Sequence, residues 1–232
     1  MKYVPAAALI LIFILHFFPW VGVYPGGVAA VTQGAWGAST GYFEDNKDLS
    51  DIFRIITAAK AKEVNDKLPE KSKWKEVPSE PGFSPLLFFY LIPFFFLALI
   101  ASVAVLALPH LKLTLPPAVQ SFLPWQWAIV AGLNALLLLF LLLQMTLGLS
   151  LESSYTAWVD NKQEVQIGEN DKTPEQLRKK VLRGELLSHL QRTYALKLAL
   201  LLHIVAAASA GLVYWSEKRG PSAPSPVLEL KW

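Results

Sequence analysis

Residues 16–37 read "HFFPWVGVYPGGVAAVTQGAWG". An apolar helix arrives at His16, meets Pro19-Trp20 and passes into Tyr24, Gly26-Gly27 and Trp36. Tryptophan and tyrosine are enriched where a chain crosses from lipid to water, because an amphipathic ring suits that boundary. The glycines then let the backbone turn back over the surface. The stretch therefore reads as a chain leaving a bilayer.

The rest of the sequence agrees. Of 232 residues, 53% are hydrophobic and only 17% charged, too apolar for an ordinary soluble domain of this size. No Asp, Glu, Lys or Arg occurs in residues 3–43, 81–111, 113–151 or 198–216. A helix crosses the hydrocarbon with ~20 apolar residues. The pattern predicts an all-α membrane protein with four transmembrane helices, over 4–23 (within a first segment 1–23, read as an uncleaved signal anchor), 85–109, 126–150 and 194–215. Between them lie a first long loop at 24–84, a short loop at 110–125 and a second long loop at 151–193, with a disordered tail at 216–232. Lys2 precedes the first helix and no basic residue follows it until Lys47, while Lys112 and Lys218-Arg219 flank later spans. The positive-inside rule then places both termini in the cytoplasm and both long loops outside, although Arg178, Lys179, Lys180, Arg183 and Arg192 run against it.

The two long loops are expected to form a mainly helical outer domain. Val28–Thr32 is a weak strand signal. In "SDIFRIITAAKAKEV", Ile52, Ile55, Ile56 and Ala59 fall at helical spacing behind Ser50, a capping residue. Thr173-Pro174-Glu175-Gln176 has the cap, first-position proline and glutamine of a helix start. The helix beginning at Pro174 is expected to press Leu186 against Ile52 and Ile56, and to run into the fourth span unless it breaks near Gly184.

Aromatic residues at the predicted span ends, Trp20, Trp125, Trp127, Tyr194 and Trp215, are expected as interfacial anchors. Trp36 is expected as a core residue of the outer domain or as a contact for another protein. Four spans with a long first outer loop carrying Gly34-Ala35-Trp36 after Trp20 resemble, at the level of topology, the claudin type of tetraspan protein. The paired cysteines of that pattern are absent here, and no function is carried over from it.

The chain has no cysteine, which excludes disulfides, thiolate metal sites and cysteine nucleophiles. It carries no Gly-x-Ser-x-Gly elbow and no phosphate-binding glycine loop. Asp and Glu are missing from the predicted spans, which disfavours a proton- or ion-coupled transporter. The net charge of +3 is spread among acids and marks no nucleic-acid surface. Inside the spans the polar residues are neutral, namely His16, Tyr90, Asn134, Gln144 and His203, while Lys197 is placed to snorkel to the outer interface. His203, Ala207 and Gly211 share one helix face with small residues, a packing surface. Rise per residue puts His16 and His203 at similar depths, ~10 and ~12 Å below the outer surface.

These features predict a non-enzymatic membrane protein without a cofactor, a structural or accessory subunit of a larger assembly. Its partners are the lipid bilayer and other membrane proteins or copies of itself. The first alternative is an electron-transfer subunit in which His16 and His203 ligate one b-type haem. The second is an oligomeric channel.

Overall fold

The computed structural model describes residues 1–46, 48, 83–111, 116–160 and 183–219. These are mostly helical, with a small sheet. The chain opens with α1 (Val4–Leu15), β1 (Pro19–Val23), β2 (Val31–Gly34), α2 (Ala35–Thr40) and β3 (Glu44–Asp45). After residue 82 come α3 (Pro85–Ala107), α4 (Gln126–Leu147) and α5 (Ser150–Asp160). A helical turn at 183–188 precedes β4 (Leu190–Arg192) and α6 (Tyr194–Lys218).

Helices α3, α4 and α6 are long and apolar enough to cross a membrane, and α1 is a shorter apolar helix. The four pack as a ring, with α1 against α3 and α6, and α4 against the same two. Their order is antiparallel. Lys2 ion-pairs with Glu217 at 2.8 Å at one end of the α1–α6 pair, and the Thr193 N–H donates to Trp20 O at 2.9 Å at the other. Between α3 and α4, the rings of Phe94 and Phe140 meet at 5.3 Å. Leu9, Ile12, Phe95, Leu137, Leu141, Leu196 and Ala199 fill the centre with no exposed surface.

The expected first helix over 4–23 is corrected by the structure. It ends at Leu15, and residues 19–23 become a strand. Proline lacks the N–H that would continue the helix and pushes its predecessor, Phe18, out of the α region. The β-branched Val21 and Val23 then find a partner in β4, aligned with Arg192 and Leu190. The sheet order β3-β2-β1-β4 joins the two long loops, with β2 and β3 from the first, β4 from the second and β1, just before the first loop, between them. The all-α expectation is corrected accordingly.

A continuous helix through the second loop into α6 is likewise not formed. The turn at 183–188 stops, β4 intervenes, and Thr193 begins α6 with extended backbone. Strand pairing takes the backbone groups that a continuous helix would use, since Tyr24 N–H donates to His189 O at 2.8 Å and Thr193 N–H donates to Trp20 O at 2.9 Å. The weak strand at Val28–Thr32 is displaced to Val31–Gly34, and α6 extends to Lys218 rather than ending at 215. The helix expected at Ile52, Ile55, Ile56 and Ala59, the helix start at Pro174 and the tail beyond Arg219 lie outside the described residues.

Two local devices shape the end of the bundle that carries the sheet. Gly148, at φ 84, separates α4 from α5, a left-handed conformation that a side chain would strain. Within α3, residues Tyr90–Phe95 form a π turn containing Pro93. The wider turn absorbs the hydrogen bond that Pro93 cannot make. It brings Tyr90, Leu91 and Phe95 together onto the buried side.

Candidate functional site: a buried His-Tyr-His bridge

His16 closes α1, its N–H bonding to Ile12 O at 3.0 Å. Its ring lies among Phe95 at 4.6 Å, Trp20 at 5.4 Å, Tyr90 at 5.6 Å and Trp36 at 6.2 Å between centroids. His203 sits on the inner face of α6 and is fully buried. Between them stands the Tyr90 hydroxyl, 3.1 Å from His16 Nε2 and 2.8 Å from His203 Nε2. One phenol oxygen thus ties α1, α3 and α6 together.

The hydroxyl has one proton to donate, so the two imidazoles take opposite roles. One Nε2 accepts the Tyr90 proton, while the other Nε2–H donates to the phenol oxygen. Two proton arrangements of equal connectivity satisfy this, and each leaves both Nδ1 atoms without a hydrogen-bond partner, as the structure has them. The arrangement can hold helices in register and pass a hydrogen-bond direction from α1 to α6. Removing the hydroxyl orphans two imidazole nitrogens, so Tyr90→Phe is expected to cost about 1–2 kcal/mol. Thermal unfolding in detergent against wild type checks this, and an unchanged midpoint would count against the bridge.

The pairing of His16 with His203 was legible in their equal depth. The structure brings them to one level but does not fit a bis-histidine haem. The place between the two Nε2 atoms is taken by the phenol oxygen, and Phe95, Trp20 and Trp36 close around His16. Tyr90 was visible only as a polar residue in a span. The signal for its placement was Pro93, whose missing donor forces the local register change.

The expected anchors divide. Trp125, Tyr194 and Trp215 are exposed, by 51%, 85% and 59%. Trp125 stacks on Tyr214 at 6.0 Å with the Lys218 ammonium 4.6 Å above its ring, and the Arg219 guanidinium lies 4.7 Å over Trp215. Trp20 and Trp127 are corrected to core residues. Trp20 is fully enclosed and donates from Nε1 to Leu15 O at 3.0 Å, and Trp127 packs with Val130, Ala210 and Val213. Trp36 is half-buried against His16, Phe17 and Phe96, a core position. Leu186 is buried and its carbonyl accepts from the Tyr155 hydroxyl at 3.0 Å, where burial raises the phenol pKa. Its expected partners Ile52 and Ile56 lie outside the described residues.

A second polar centre, unmarked in the sequence, joins the loops. Gln33 is buried, its Nε2 donating to Tyr42 O at 3.1 Å. Its Oε1 accepts from Ser150 Oγ at 2.8 Å and from the Leu151 N–H at 2.9 Å, satisfying the start of α5. Arg192 grips Glu152 through Nε and a terminal nitrogen at 3.1 and 2.8 Å, and also donates to Met145 O at 2.7 Å. A mostly helical chain with three helices able to span a membrane and a two-loop sheet cap is the class these features define. Compared with family models, curated proteins and solved structures, the chain matches none.

Proposed function

We propose that the chain is a four-span integral membrane protein acting as a structural or accessory subunit of a larger membrane assembly. What supports the fourth span is the end-to-end pairing of α1 with α6. A helix of 12 residues is only about 18 Å long. Yet Lys2 lies opposite Glu217 and Trp20 opposite Thr193, so residues 2–20 accompany a partner long enough to cross. Lys2, Lys218 and Arg219 gather at one end, which by the positive-inside rule is the cytoplasmic end and puts the sheet cap outside. Single cysteines at Ser72 and Ser222 check this with an impermeant thiol reagent on intact cells. Ser72 is expected to label and Ser222 to stay protected; the reverse pattern would invert the protein.

The observation that carries the accessory role is the joining of both loops into one cap through β1–β4 pairing, Gln33 and the Arg192–Glu152 pair. A preorganised surface loses little freedom on docking, which is what a partner-binding module requires. The bundle beneath it is filled by side chains. Gentle solubilisation followed by native electrophoresis and identification of copurifying chains tests the role. A complex larger than the 25.8 kDa chain, with defined companions, is expected. A lone monomer recovered under conditions that preserve other assemblies would overturn it.

A further inference from the structure

The early end of α1 leaves a gap that the sequence did not announce. Beyond Leu15 the chain turns through Phe18 into β1, so among the described residues α1 does not continue beside the first turns of α6. A groove of about 530 Å³ results. Leu15 and Phe18 form one wall, Tyr194, Leu198 and Leu201 the other, and Lys197 stands among them. Phe18, Leu198 and Leu201 are 52%, 45% and 54% exposed, an apolar surface that belongs against hydrocarbon.

The groove is graded along α6. Lys197 is three positions past Tyr194, ~4.5 Å along the axis, and Leu201 is ~6 Å deeper. The Lys197 ammonium rests 5.1 Å over the Tyr194 ring, and among the described residues no carboxylate is ion-paired with it. At the same end, Thr193 gives α6 no side-chain cap, its hydroxyl being used on Pro19 O. The first N–H groups of α6 therefore add positive potential beside the lysine.

We propose that this groove is a specific site for one anionic phospholipid. The phosphate is held by Lys197 and the start of α6, and an acyl chain lies along Phe18, Leu198 and Leu201. The proposal rests on the membrane reading above, and the charge at the mouth selects the occupant. A cation over an apolar channel matches an anionic headgroup over an acyl chain, whereas a zwitterionic headgroup would bring its own cation to the lysine.

Native mass spectrometry of the full chain in detergent, with phosphatidylglycerol or phosphatidylcholine of matched acyl chains, tests the site. Wild type is expected to retain one phosphatidylglycerol with about fivefold preference. Lys197→Gln should lose the preference while Lys197→Arg keeps it, and Leu201→Trp should fill the groove and reduce retention of both lipids. Equal retention by wild type, or an undiminished preference in Lys197→Gln, would overturn the site. Alkaline carbonate extraction separates the two readings. A chain released to the supernatant removes the membrane reading and the site together, whereas an embedded chain without lipid preference removes only the site.

Discussion

Replacing Trp20 by alanine is expected to destabilise the protein by about 3–5 kcal/mol, the range for truncating a buried aromatic side chain. For a chain of this size the unfolding midpoint should fall by roughly 10 °C. The indole is fully enclosed, packs against His16 at 5.4 Å and Tyr90 at 6.2 Å, and donates to Leu15 O. Its loss opens a void beneath the sheet, beside the His-Tyr-His bridge. Trp215→Ala is the control, because that ring is exposed and its removal should cost under about 1 kcal/mol. Thermal unfolding of both variants in one detergent decides the matter. Similar small losses would mean that Trp20 is an interfacial anchor after all.

Gln33→Ala is the second large effect expected, at about 3 kcal/mol, because each buried polar group left unpaired costs ~1–3 kcal/mol. The substitution orphans Tyr42 O and the Leu151 N–H at once and leaves Ser150 Oγ only its long bond to Ala38 O at 3.5 Å. Damage should concentrate in the cap. Limited proteolysis is expected to cleave near 33–46 and 150–160 well before the bundle opens, while the Tyr90 bridge persists. Gln33→Glu keeps an acceptor for Ser150 and Leu151 and should recover part of the loss. Equal protease resistance in wild type and Gln33→Ala would show that the two loops are held together by other contacts.

The apolar windows without charge were enough to place α3, α4 and α6, because lipid admits few charges and a crossing helix needs a fixed length. The same rule overextended α1. A run of hydrophobic residues carries no mark of whether it is helix or strand, and Val21 and Val23 are apolar in either state. Residues 19–23 were read as the last turn of a span when they form a strand.

The candidate site was half legible. Equal depth of His16 and His203 followed from rise per residue, but the group between them did not, since depth says nothing about which faces converge. Tyr90 turns inward through a π turn at Pro93, and the bridge exists only once α1, α3 and α6 are packed. Gln33 carried no signal at all, because the partners of its side-chain oxygen lie 117 and 118 residues away.

By itself the sequence determined that these helices are apolar, where most of them begin and end, and that the interior contains histidines rather than carboxylates. Those properties are local, set by transfer from water and by helical rise. The tertiary structure decided that Leu190–Arg192 completes a sheet with Pro19–Val23, that Trp20 is core and Trp215 surface, and that two histidines share one phenol. Each depends on pairing between distant segments, and the free energy of such pairing belongs to the contact, not to either strand of residues alone.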